Sequence, residues 1–416
     1  MDSLTKANLE FTRRYPGDTG ARQPVHTVYG GAHLFKADLC RKMGLIAEKA
    51  LTEYAPDAAT LALAIGIPNQ LAETVYERVI EKLQREPVED FRIDFEDGYG
   101  NRPDAEEDAT ADSAAEEVLK GVEAGTLPPF LGIRIKCFSE ELKSRSVRTL
   151  KRFLKALGAN VPPHFVITLP KITVPEQVAA LVDALGDSPV KMEMMVETPQ
   201  SIFMLLTLVA AAQGRCVAAH FGTYDYTASL GITAAHQHML HPACDFARSM
   251  MQASLAGTGL WISDGATNIM PIALNRGANL TPQETLENRL VVHRAWKLHS
   301  DHVRHSLDNA FYQGWDLHPA QLPTRYATVY SFFLEGLDAA SERLRNFIAK
   351  AAQATLVGDV FDDAATGQGL LNYFLRAINC GAIPEEDAPE LTGLSLEELR
   401  SASFVKILNG RRASHG

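Results

Sequence analysis

Eight times along this chain a short apolar run gives way to a stretch whose apolar residues recur at helical spacing. The runs fall at 25–29, 89–95, 131–136, 164–169, 191–196, 217–221, 259–263 and 312–317. Continuous apolar runs, as opposed to alternating ones, mark parallel strands covered on both faces. Eight strand-helix repeats joined by right-handed crossovers predict an α/β fold, a (β/α)8 TIM barrel spanning residues 25–335. In such a barrel the chemistry gathers at the carboxyl ends of the strands. Two successive runs there stop at Glu197 and Asp225, so closure sets these carboxylates side by side as half of a magnesium site. Capping of helices, or pairing with arginines, is the plainer reading of the same two residues.

The remaining segments are assigned by contrast with the repeat. Residues 1–24 are polar and predict an N-terminal arm packed on the barrel, and 61–67 reads either as a buried helix or as an extra strand. Residues 336–416 turn all-helical (339–351, 369–380, and a last helix from Ser395 with a Ser395/Glu398 capping box) and predict a helical C-terminal extension, a lid or subunit contact. Within it, 358–369, with Asp359, Asp362 and Asp363, reads as a mobile acidic loop.

A formal net charge of -11 argues against general binding to nucleic acid or anionic membranes, both of which need a cationic surface. Five scattered cysteines without a C-x-x-C pair predict reduced thiols. With no basic-then-apolar start and no long uninterrupted apolar window, this predicts a cytoplasmic protein.

Taken in register, the strand ends supply Glu96, Asp97, Arg134, Lys171, Glu197, Asp225, Asp264 and His318. Each has an ordinary structural use: Asp97 precedes Gly98 in a turn, Lys171 suits a solvated loop, His318 before Pro319 suits a packed histidine. Their joint occurrence at one edge is harder to explain by packing, because buried charges need partners or metal. His236, His238 and His241 have spacing reminiscent of a zinc cluster but read as a polar loop leading into a helix. His299, His302 and His305 read as a solvated helix face. Arg145, Arg148, Arg152 and Lys155 form a basic stripe, read as solvated or, more sharply, as a seat for a phosphate-bearing substrate or an acidic neighbouring subunit.

These strand-end motifs resemble the HpcH/HpaI aldolase and citrate lyase β-subunit superfamily over roughly residues 25–325. Ile93-Asp-Phe-Glu-Asp97 is similar to that family's D-L-E-D, Gly132-Ile-Arg134 to its R-V-N arginine, and Leu169-Pro-Lys-Ile172 to its L-P-K-V. Glu197-Thr198 resembles its E-T motif, Phe221-Gly-Thr-Tyr-Asp225 with Leu230-Gly231 its G-x-x-D-L…L-G, Phe246-Ala-Arg248 its Y-A-R, and Leu317-His-Pro-Ala-Gln321 its I-H-P-x-Q. The resemblance implies a (β/α)8 fold, Mg2+ (or Mn2+) held by Glu197 and Asp225, Arg134 at the reacting oxygen, and formation or cleavage of a carbon-carbon bond. The family's Y-V-P-G-D start appears only as Val28-Tyr29-Gly30-Gly31, Pro199 follows Thr198, and Tyr226 replaces the usual Leu. These departures bear on coenzyme A recognition.

The sequence therefore predicts a metal-dependent lyase or aldolase for a small oxoacid or acyl-CoA thioester, working as a homo-oligomer. Arg134 and Glu96 or Asp97 are the catalytic candidates; Lys171, Asp264 and His318 are the candidate substrate contacts. Two other readings stay open: a metal-free Schiff-base aldolase using Lys171, and a catalytically silent barrel serving as a binding or assembly subunit.

Overall fold

A strand buried on both faces needs partners on both edges, and closing the sheet on itself supplies them. The chain, seen in a computed structural model that describes residues 1–277, 279–349, 355–357, 360–362 and 364–414, does this. Eight parallel strands close in sequence order: β1 (His26–Gly31), β2 (Asp90–Asp94), β3 (Phe130–Arg134), β4 (Phe165–Leu169), β5 (Lys191–Val196), β6 (Cys216–Phe221), β7 (Trp261–Ala266) and β8 (Gln313–Asp316). His26 opposite Gly314 seals the ring. Every residue of β2, β3 and β4 is buried, which is why these runs carry no alternation. The expected (β/α)8 architecture is the one observed. The ambiguous segment at 61–67 resolves as helix Ala58–Ile65, started by the Asp57 carboxylate accepting from the Thr60 N–H and stopped by Gly66 in the left-handed region.

Several expectations change. The seventh strand runs to Ala266, so Asp264 lies inside β7 and not at its carboxyl end. His299 and His302 are buried, not solvated: helix Pro282–Asp308 turns them inward, where both bond the Thr267 hydroxyl and His299 reaches Asp316. The basic stripe is solvated only in part, with Arg148 and Lys155 open to solvent, Arg152 partly so and Arg145 largely enclosed, and its arginines are taken up by acids of a neighbouring helix. Arg145, Arg148 and Arg152 on helix Lys143–Leu157 pair with Asp108 and Asp112 on helix Asp104–Ala124, one turn matched to one turn. Residues 1–24 do not pack as one arm either, since helix Asp2–Arg14 buries none of its side chains; only the segment after this helix is anchored, for example through the Gly17 N–H donating to the Gly257 carbonyl.

The C-terminal part contains helices Leu337–Ala349, Ala364–Asn379, Ala388–Thr392, Leu396–Arg400 and Phe404–Ser414, and an antiparallel pair Thr355–Val357 with Val360–Asp362. The Ser395/Glu398 capping box is present. Of the expected acidic loop at 358–369, Asp359 and Asp363 lie outside the described residues, while residues 360–362 are strand and 364–369 helix. Arg376 pairs with Asp18, bonds Gln23 and lies over the Tyr312 ring, just ahead of β8. This places helix Ala364–Asn379 at the amino-terminal end of the barrel, opposite the carboxyl edge.

The barrel interior is not purely apolar. Arg92 of β2 bonds Asp90, Thr168 and Glu193, and Trp315, Thr27 and Gln313 extend the polar set. Such burial persists only because each charge meets an opposite one.

Candidate active site

The turn after β2 is built around a carboxylate. Asp94 accepts from the N–H groups of Glu96 (2.9 Å) and Gly98 (2.7 Å), and a Cβ at Gly98 would stand 2.6 Å from its oxygen. The same carboxylate grips Arg134, the last residue of β3, through Nε (2.7 Å) and Nη2 (2.6 Å). A planar fork held on two prongs leaves Nη1 outside the clamp. That nitrogen lies 3.3 Å from Glu96 and 3.7 Å from the Met195 sulfur, and the guanidinium sits 4.8 Å over the Tyr29 ring. Asp94, Tyr29 and Met195 were not foreseen. Asp94 stands inside the 93–97 motif, but its role shows only once β3 lies beside β2.

Lys171, just past β4, joins the next two strands to this turn. Its backbone is in the left-handed region (φ 50), uncommon for a side-chain-bearing residue, and its N–H donates to Glu197 Oε1 at 2.7 Å. The ammonium bonds Glu96 and lies 3.1 Å from Asp97 and 3.4 Å from Asp225. Burial alone would lower its pKa; Glu197 and Glu96 outweigh that and raise it. Glu197, at the end of β5, is 1% exposed, and burial pushes its carboxyl up to about 8, with Asp225 adding to the rise and Lys171 opposing it. It fits there because residue 222 is glycine: a Cβ would stand 2.3 Å from Glu197 Oε2. Thr198 fixes the turn by donating to the Ile172 carbonyl (2.5 Å) while capping helix Pro199–Phe203. Asp225 is in the first turn of helix Thr223–Ser229 and is partly open to solvent.

Six of the eight strand-end candidates therefore come together: Glu96, Asp97, Arg134, Lys171, Glu197 and Asp225. Two do not. Asp264 is fully enclosed by Arg248 and Ser306 of the surrounding helices, and His318 caps the short 3-10 turn Pro319–Gln321 by accepting from the Ala320 N–H. His241 likewise caps helix Pro242–Leu255, and among the described residues no group of three or more His, Cys, Asp and Glu forms a metal site.

Counting Asp94, five carboxylates face two cations, a formal excess of three negative charges. Mg2+ fits this donor set. It takes one or two carboxylates and completes its octahedron with water and substrate oxygens, so it needs no three-residue cage. Glu197 and Asp225 supply hard oxygen donors without thiol or imidazole.

A family model described as a domain of unknown function, DUF6986, matches residues 4–407. The chain belongs to this family. The match takes in nearly the whole chain, so the DUF6986 unit comprises the barrel together with most of its N- and C-terminal additions. No curated protein matches the sequence. Among solved structures, a citrate lyase from Burkholderia xenovorans LB400 is similar at a TM-score of 0.57 and 19% identity, over 89% of this chain and 97% of that one. CitE of Mycobacterium tuberculosis, in complex with magnesium, acetoacetate and coenzyme A, is similar at 0.50 and 15%, over 86% of this chain and 99% of that one. At these identities the likeness is one of fold.

Proposed function

We propose that this DUF6986 protein is a Mg2+-assisted carbon-carbon lyase or aldolase acting on a small oxoacid or acyl-CoA thioester through an enolate. One observation carries the reading: at a single barrel edge an arginine fork, clamped by Asp94 with its Nη1 outside the clamp, stands beside a strongly acidic nest that is short of cations. The CitE structure with magnesium and acetoacetate is a fold relative whose ligands are of the proposed kind.

Retro-aldol cleavage leaves negative charge on an enolate oxygen, and groups fixed before the reaction stabilise it most. Glu197 and Asp225 would hold Mg2+, which when bound supplies Lewis-acid stabilisation of that charge and fixes the substrate. Arg134, unable to rotate away from Asp94, presents Nη1 to a substrate carboxylate or the developing enolate. Glu96 is the candidate base: burial raises its carboxyl, Arg134 and Lys171 restrain the rise, and its position between them reaches the same space. Lys171 is unsuited to imine formation, which needs a neutral amine, because its carboxylate neighbours hold it protonated. Its charge suits substrate carboxylate binding.

The test is calorimetric titration with Mg2+, followed by product analysis with pyruvate or oxaloacetate in the presence and absence of acetyl-CoA. Wild type should bind the metal, and Glu197→Gln and Asp225→Asn should lose it while keeping their circular dichroism. Unchanged Mg2+ binding in both variants sends the site elsewhere. A folded wild type that binds no Mg2+ would favour the silent-barrel reading instead.

A further inference from the structure

At the amino-terminal end of the barrel, away from the acidic nest, lies a cavity of about 490 Å3. Its walls include the rings of Phe130, His164 and Trp261, which pack on one another (4.9 Å for Phe130–His164, 5.8 Å and edge-on for Phe130–Trp261). Its lining also takes in Asp90, Arg92 and Glu193, each under 5% exposed. Apolar walls with a few buried polar groups are the usual make-up of a small-molecule site.

The charge of the lining decides what enters. Arg92 is shared by two carboxylates: Nη1 bonds Asp90, while Nε (3.0 Å) and Nη2 (2.6 Å) both reach Glu193 Oε2. Its remaining contacts are Thr168 and the Phe91 carbonyl, so it has little left for an incoming anion. Every hydrogen bond to Glu193 also ends on Oε2, from Arg92 and from Thr168; His220 Nε2 stands 3.3 Å from the same oxygen. The Trp315 indole N–H donates to the other ring nitrogen, His220 Nδ1 (3.4 Å). Burial and the neighbouring Glu193 raise Asp90 while Arg92 opposes them; the lining's other basic side chain, Lys191, is exposed and donates to the Gly214 carbonyl, so the two buried carboxylates share the one buried guanidinium. We propose that this cavity binds a small aromatic ammonium compound, its ring against Phe130 and Trp261 and its cationic nitrogen at Glu193 and Asp90. The aromatic faces favour the same ligand, since they attract cations and stack on rings.

Phenethylamine, 2-phenylethanol and 3-phenylpropionate, titrated into the full-length protein by calorimetry, share a ring and differ in charge. The amine should bind at least about ten-fold more tightly than either of the others, as a charge-assisted hydrogen bond contributes. Leu260→Trp, a partly buried lining position, should abolish binding by filling the cavity, whereas Asp225→Asn in the upper nest should leave it intact. Glu193→Gln, if it folds, should remove the preference for the amine. The proposal is overturned if the amine does not bind, if the alcohol binds equally well, or if Asp225→Asn abolishes binding while Leu260→Trp preserves it.

Discussion

Lys171 combines a left-handed backbone, an N–H given to Glu197 and an ammonium set among Glu96, Asp97 and Asp225. That ammonium occupies the electrostatic position a metal ion would use, so the two compete. Lys171→Met should strengthen Mg2+ binding by roughly ten-fold through removal of a like charge, while weakening use of a carboxylate substrate. Calorimetry and initial rates check the two halves separately, and weaker Mg2+ binding in the variant would contradict the competition. Arg134 makes the opposite case. A lysine there keeps the charge but cannot hold Asp94 with two prongs and still present a third donor. Arg134→Lys should lower turnover on the order of 100-fold with metal affinity unchanged. Full activity in the variant would remove Arg134 from the chemistry.

The paired helices Asp104–Ala124 and Lys143–Leu157 show how an element acquires a role its own sequence does not reveal. The stripe Arg145, Arg148, Arg152 matches the solvated face of any amphipathic helix until a second helix presents acids at the same pitch. The pairs are unequal. Arg148 and Arg152 are half-exposed, so Arg148→Ala and Arg152→Ala should each cost under about 1 kcal/mol. Asp108 is nearly enclosed and serves the largely enclosed Arg145, which keeps Glu107 at 3.5 Å as a second partner, so Asp108→Ala should cost about 2 kcal/mol, more than either arginine variant. Urea melts of the three variants provide the check, and equal losses would show that burial does not set the hierarchy. The same logic explains His299 and His302: a three-residue histidine spacing suits a solvated face equally well, and only contact with Thr267 and Asp316 reveals an inward one.

For the whole molecule, a buried charge network outside the site lies where the leading segment meets the barrel. Glu89, fully buried ahead of β2, takes Lys82 Nζ (2.6 Å), Arg22 (3.0 Å) and the Val25 N–H (2.8 Å), tying residues 22–25 to helix Ala72–Arg85. Burial would push its carboxyl up, but Lys82, Arg22 and His26 pull it down to about 2. A carboxylate depressed in the folded state contributes stability above its unfolded pKa and loses it as pH falls toward the folded value. The melting temperature should therefore fall between about pH 4.5 and pH 2, with about 3 kcal/mol at stake from this group. Glu89→Gln should be less stable at neutral pH and lose less on acidification. An identical pH profile in the variant would assign the acid sensitivity to other groups.

What the sequence determined by itself was whatever depends on period and on strand ends. Continuous apolar runs announced buried parallel strands, eight repeats announced a closed barrel, and closure then dictated that Glu197 and Asp225, one repeat apart, would be neighbours across β5 and β6. Arg134, Glu96, Asp97 and Lys171 were legible for the same reason, each lying within a few residues of a strand's carboxyl end. The tertiary structure alone decided direction and partnership. Asp264 looked like a strand end until β7 ran on to Ala266 and aimed it at Arg248. Asp94 looked like one acid among several until it became the clamp on Arg134. Local pattern reports how a side chain alternates along its own element, whereas charge pairing, burial of a histidine face and the carboxylate lining beneath the barrel are set by residues far away along the chain.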